Sequence, residues 1–292
     1  MNRPVLHFPR FLALLLGAVV LAMVGTRAQA QTATNIAGLY YTGLNSTGGL
    51  QTAGSQDANW TVVYASTDGG SATNTAYEGA AYVISGSSIS GSGYTPNTAA
   101  AQWITAPGAT NSSGTSPNTG GDYLPGNGNS AGNEGIYVYQ LAFTIGGTGS
   151  AGTTVTNKIQ ISMTLAADDQ YTVYINPTGS SSASATDTSA AWTNTTAITL
   201  QNYGTGSVNN AVFKIGVNYI DIVVDNTNSV NGTSSSTALN ASGLLVYQTS
   251  AATLNGVPIP EVSTWLVLAG AIGCYGLVVL RRRQAKLQHV RA

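Results

Sequence analysis

The residues best suited to chemistry in this sequence are acidic and aromatic, and Asp168-Asp169 is the most suggestive pair. Successive residues of an extended strand point to opposite faces, so these two do not share one substrate as an acid/base couple. In a loop they can bind Ca²⁺ together with backbone carbonyls, since Ca²⁺ accepts mixed oxygen shells. The plainer reading is a turn leading into a strand, capped by the Asp side chains themselves. Asp221 and Asp225 fall on one strand face opposite Ile220, Ile222 and Val224, which reads as a solvated outer face. Trp60, Trp103 and Trp192 each offer a ring on which the C–H face of a pyranose can stack, although strand tryptophans more commonly fill a core. Trp60 is expected inside. Trp192, beside a low-complexity stretch, is expected at the surface. Trp192, Asp168 and Asp169 are therefore the candidate ligand-binding residues, with calcium as the candidate ion at the two carboxylates.

What is missing narrows the chemistry further. Both histidines, His7 and His289, lie near the chain ends, as do the single cysteine, Cys274, and every arginine. The region between has no His, Cys or Arg, so neither a Ser-His-Asp nor a Cys-His device can be assembled there. Zinc sites of the usual type are excluded on the same ground. Lys158 and Lys214 are its only basic residues, against ten carboxylates, a formal charge of −8. Such a surface repels phosphate backbones, and nucleic acid is not an expected partner. The expectation is a protein that is not an enzyme.

Period-two alternation supplies the elements that hold these residues. In residues 136–145 the odd positions Tyr137, Tyr139, Leu141, Phe143 and Ile145 form an apolar face. Ile159, Ile161, Met163 and Leu165 alternate strictly, and so do Tyr171, Val173 and Ile175 before a turn at Asn176-Pro177-Thr178-Gly179. Earlier, Trp60, Val62 and Tyr64 share one strand face. Residues 180–190 read as a low-complexity loop, and 106–133 as a loop too long for an ordinary connection. The phase changes between Phe213, Ile215, Val217 and Ile220, Ile222, Val224, which predicts a turn or bulge at Gly216-Val217-Asn218-Tyr219 between two strands. Many strands, Gly-rich turns and no amphipathic helix predict an all-β fold, an antiparallel β-sandwich of jelly-roll type, over residues 31–256.

The two ends carry a different message. Arg3 and Arg10, an uncharged run from Phe11 to Val24 and the small-x-small site Ala28-Gln29-Ala30 have the form of a signal peptide over residues 1–30, cut after Ala30 by signal peptidase. Val262 to Leu280 is uncharged and long enough for a transmembrane helix, and the tail 281–292 opens with Arg281-Arg282-Arg283. The positive-inside rule keeps that tail in the cytoplasm and the body outside.

Residues 257–265, Val257-Pro258-Ile259-Pro260-Glu261-Val262-Ser263-Thr264-Trp265, followed by the apolar run and the arginines, resemble the PEP-CTERM sorting signal of Gram-negative bacteria. Val262 stands where that family usually has a second proline. The resemblance implies a sorting signal over 257–292 whose processing residues are Pro258, Pro260, Glu261 and Arg281 to Arg283. An exosortase would be the partner: the chain crosses the inner membrane, is held transiently by its helix, and then reaches the cell surface or extracellular matrix. A second resemblance runs from Ala166-Ala167-Asp168-Asp169 through Tyr174-Ile175-Asn176 and residues 213–226 to Gly243-Leu244-Leu245-Val246. It is similar to a domain common in PEP-CTERM proteins that looks like a galactose-binding jelly roll, with Pro177 here in place of the usual glycine. That implies a carbohydrate-binding surface protein with extracellular polysaccharide as a partner. A structural or adhesive module without a small ligand is the alternative, and a two-carboxylate glycan-cleaving enzyme a more distant one.

Overall fold

The computed structural model describes residues 33–67, 72–84, 94–108, 135–168, 170–177, 184–187, 192–203, 211–226, 243–247, 252–254 and 257–258. The expected signal peptide with Ala28 and Ala30, the transmembrane helix and the basic tail lie outside the described residues. So do Pro260, Glu261 and Asp169. Among the described residues no helix is long and apolar enough to cross a membrane.

Among the described residues there are fourteen strands. They are β1 (Ala33–Ala37), β2 (Gln56–Thr67), β3 (Ala72–Thr73), β4 (Gly79–Val83), β5 (Ile104–Thr105), β6 (Gly135–Gly147) and β7 (Ile159–Asp168). Then follow β8 (Gln170–Ile175), β9 (Ser184–Asp187), β10 (Thr196–Gln201), β11 (Gly216–Asn226), β12 (Gly243–Tyr247), β13 (Thr253–Leu254) and β14 (Val257–Pro258). All join one antiparallel sheet in the order β14-β13-β7-β12-β5-β4-β2-β6-β11-β8-β9, with β1 beside β6, β10 beside β7 and β3 beside β2. The sheet rolls until it is nearly closed into a barrel. Rolling lets one sheet enclose its own apolar face, so a chain with a single cysteine, and hence no internal disulfide, still has an enclosed apolar interior.

The strand faces follow from alternation. Tyr137, Tyr139, Leu141, Phe143 and Ile145 on β6 are buried, as are Ile159, Ile161, Met163 and Leu165 on β7 and Tyr171, Val173 and Ile175 on β8. Trp60, Trp103 and Phe213 complete the aromatic core. Phe143 and Phe213 meet edge to face, with centroids 6.4 Å apart.

Several local expectations are corrected. Trp60 and Val62 point inward, but Tyr64 is 37% exposed. The pairing of β2 with β6 slips between Val62 and Tyr64, where Tyr139 and Val138 are the successive partners. One extra residue on β2 forms a bulge and reverses the phase, so Ala65, across from the inward Tyr137, takes the inward face instead. Gly216 to Tyr219 is not a turn between strands; it is the start of the continuous strand β11. The phase change lies at its first residue, where Gly216 takes φ 93°, a conformation only glycine adopts without strain. The amide of Asn218, fully buried, closes this turn: Nδ2 donates to the carbonyls of Lys214 (2.7 Å) and Gly216 (2.9 Å), and Oδ1 accepts the Lys214 N–H (2.8 Å). Asn176 ends β8 with φ 45°, in the left-handed region that asparagine tolerates. Its Nδ2 reaches both Asn218 Oδ1 (2.8 Å) and the Val212 carbonyl (2.7 Å), tying the two turns together. The low-complexity stretch 180–190, expected as a loop, contributes β9, which pairs with β8. β10, not anticipated from the sequence, lies along β7.

Candidate functional site

Asp168 is the last residue of β7 and pairs across the sheet with Gly243 of β12. It is buried, with 5% of its surface exposed. The hydroxyl of Tyr94 donates a short hydrogen bond to Asp168 Oδ2. The Tyr94 ring meets Trp103 edge to face, centroids 5.1 Å apart, and lies at 40° to Trp192 at 6.4 Å. Trp103 is fully buried and fixed by two hydrogen bonds: its indole N–H donates to the Thr95 carbonyl (2.7 Å) and its backbone N–H to Asn97 Oδ1 (2.8 Å). The Thr95 N–H donates to the Trp192 carbonyl at 2.7 Å, so the segments bearing Tyr94 and Trp192 are joined along the backbone as well.

Two of the three expected ligand-binding residues, Trp192 and Asp168, are thus brought together through Tyr94. Trp192 is half-buried, packed against the core edge. Tyr94 was missed by the sequence reading: it stands alone in a Ser/Gly/Asn stretch with no periodicity to mark it, 74 residues from its carboxylate partner. Trp60 and Trp103 are both wholly buried, which removes them as stacking surfaces. Among the described residues no group of three His, Cys, Asp or Glu side chains gathers to hold a metal ion.

The cluster is tightly fitted. A Cβ built on Gly243 would stand 3.0 Å from Trp103 Cε3, closer than ordinary packing allows. Gly243→Ala is therefore expected to cost about 1–3 kcal/mol of stability by overpacking. Its denaturant midpoint should fall while near-UV dichroism reports a displaced tryptophan; an unchanged midpoint would show that the ring yields freely.

Asp221, expected on a solvated outer face, is instead buried with 8% exposure; Asp225 is half-buried. The Gln140 Nε2 donates to Asp221 Oδ1 at 2.9 Å. Burial raises the Asp221 carboxyl above its ordinary 3.8, opposed by the Gln140 hydrogen bond. The reason for the burial is tertiary: β11 is flanked on both sides, with Gln140 of β6 and Tyr174 of β8 directly across from Asp221.

These features define an all-β, rolled-sheet protein with an aromatic and carboxylate cluster where β7, β12 and the segment from Tyr94 to Trp103 meet. No family model matches the chain, and no curated protein or solved structure is significantly similar to it.

Proposed function

We propose that the chain is an exported, exosortase-processed protein of the cell surface or extracellular matrix whose β-domain binds extracellular polysaccharide rather than performing catalysis. The observation that carries the binding part is the joining of half-buried Trp192 to buried Asp168 through Tyr94: an aromatic face next to a fixed acceptor suits the C–H face and hydroxyls of a sugar. The export part rests on the order of charged, apolar and small residues at the N-terminus and on the Pro-Glu, apolar and arginine sequence at the C-terminus. In this reading the rolled sheet is a jelly-roll sandwich of galactose-binding type, and Asp168 with Asp169 is where calcium would assist. The lack of His, Cys and Arg between the two ends favours binding over catalysis.

The Tyr94 hydroxyl, which engages one Asp168 oxygen, favours a second reading, a structural or adhesive module without a small ligand. A glycan array separates the two. The full-length chain in mild detergent is expected to retain a subset of glycans and to lose them in Trp192→Ala. Empty arrays with and without Ca²⁺ would leave the structural module standing.

A further inference from the structure

The outer face of the sheet holds a second, differently built group. Along β11 the inward residues Asn218, Ile220, Ile222 and Val224 are buried, and the outward ones are Val217, Tyr219, Asp221, Val223 and Asp225. Asp221 lies directly across from Gln140 on one side and Tyr174 on the other, with Tyr219 two residues along its own strand. Tyr219 is 40% exposed, and its neighbour across on β6 is Ala142, too small to crowd the ring. Tyr174 and Tyr219 are diagonal neighbours on adjacent strands, a relation that sets such positions about 7–8 Å apart.

The polar atoms here are incompletely used. Among the described residues Asp221 accepts one hydrogen bond, from Gln140 to Oδ1, and none to Oδ2, although the residue is more than nine-tenths buried. Because the Gln140 Nε2 faces the carboxylate, Oε1 faces away and is likewise unengaged. Neither tyrosine hydroxyl has a hydrogen-bond partner among the described residues. Asp221 Oδ2 is not fully enclosed, so a hydroxyl arriving from outside the domain can reach it and donate. The group contains no cation, and the domain's formal charge of −8 repels anions. A neutral polyol fits: its hydroxyls donate to Asp221 and Gln140 while its C–H faces lie on the two rings.

We propose that Gln140, Tyr174, Tyr219 and Asp221 form a binding face for the pyranose units of a neutral polysaccharide chain. This rests on the polysaccharide-binding reading but places a contact on residues separate from Trp192 and Asp168. The test is native affinity electrophoresis of the full-length chain in nonionic detergent, in gels cast with hydroxyethylcellulose, a soluble β-1,4-glucan, or with galactomannan. The wild-type chain should be retarded by at least one of them. Tyr219→Ala, Tyr174→Ala and Asp221→Asn should each weaken retardation roughly tenfold or more, as truncation of a central contact does. Tyr219→Leu keeps bulk on the strand and removes only the aromatic face, and it should weaken binding equally with an unchanged melting temperature. Retardation that survives all four substitutions but is lost in Trp192→Ala overturns this face and leaves the Trp192 reading intact. No retardation of the wild-type chain by either polymer overturns it as well.

Discussion

Trp60→Ala should destabilise the domain by about 3–5 kcal/mol, the usual range for deleting a large buried aromatic. Trp60 is wholly buried on β2, directly across from Leu141 of β6. With Leu39, Tyr41, Leu141, Ile161, Met163 and Val246 it lines a small, half-open apolar pocket, so the void left by the indole would add to space that already exists. Surrounding strands cannot collapse into it without disturbing the β2–β6 ladder. The substitution also removes the indole N–H that donates to the Tyr40 carbonyl at 3.1 Å, leaving that acceptor without its donor. Trp60→Phe separates the two effects: it retains most of the volume and loses only the hydrogen bond, and should cost markedly less. Urea unfolding of both variants measures the difference, and equal losses for Phe and Ala would rule out the cavity as the dominant cause.

Asp57→Ala should cost on the order of 3 kcal/mol, taking about 1 kcal/mol for each buried donor stripped of its acceptor. The Asp57 carboxylate is buried where β2 begins and accepts three backbone N–H groups: Gly43 on Oδ2 at 2.6 Å, and Asn59 and Trp60 on Oδ1 at 2.8 and 2.9 Å. It therefore clamps the loop before β2 to the strand and positions Trp60 itself. Asp57→Asn keeps one acceptor oxygen but turns an amide N–H₂ toward the Gly43 N–H, so an intermediate loss is expected. The two sites share a backbone group, and the double variant with Trp60→Ala should fall short of the sum.

The pH dependence of Asp57 gives a second readout. Burial raises its carboxyl above 3.8, more than the three hydrogen bonds lower it. The folded protein then holds the proton more tightly than the unfolded chain does. Stability from this group is present at low pH and declines as pH rises from 3.8 through the raised folded value, beyond which it is flat. In Asp57→Asn that decline should be smaller. A wild-type melting temperature that instead climbs across the same interval, with the variant flat, would reverse the assigned sign.

Much of the fold was legible from period-two alternation. The inward faces of β6, β7 and β8 match the apolar positions of the sequence because one face of each strand packs a dry interior while its odd-even order stays unbroken. Alternation fails where an extra residue or a turn resets the phase. At Val63 nothing in the sequence marks the bulge; the pairing with β6 decides it, and Tyr64 moves from the expected core to the surface. At Gly216 the sequence marks the reset but not its place. The Asn218 amide and the positive φ of Gly216 put the reset at the entry to β11, with the rest of the strand continuous.

The candidate sites divide in the same way. The sequence by itself determined the chemical limits: an acidic middle region without His, Cys or Arg, bounded by ends that hold every arginine and two long uncharged runs. Those are properties of composition and order, and folding does not alter them. Tertiary structure alone decided which side chains meet. Tyr94 joins Asp168 to Trp192 because β7, β12 and β5 lie side by side, bringing together segments far apart in the chain. Asp221 lost its water because strands on both sides of β11 supply Gln140 and Tyr174 across from it. Burial depends on every neighbour at once, whereas the pattern along a strand records only which of its two faces a residue takes.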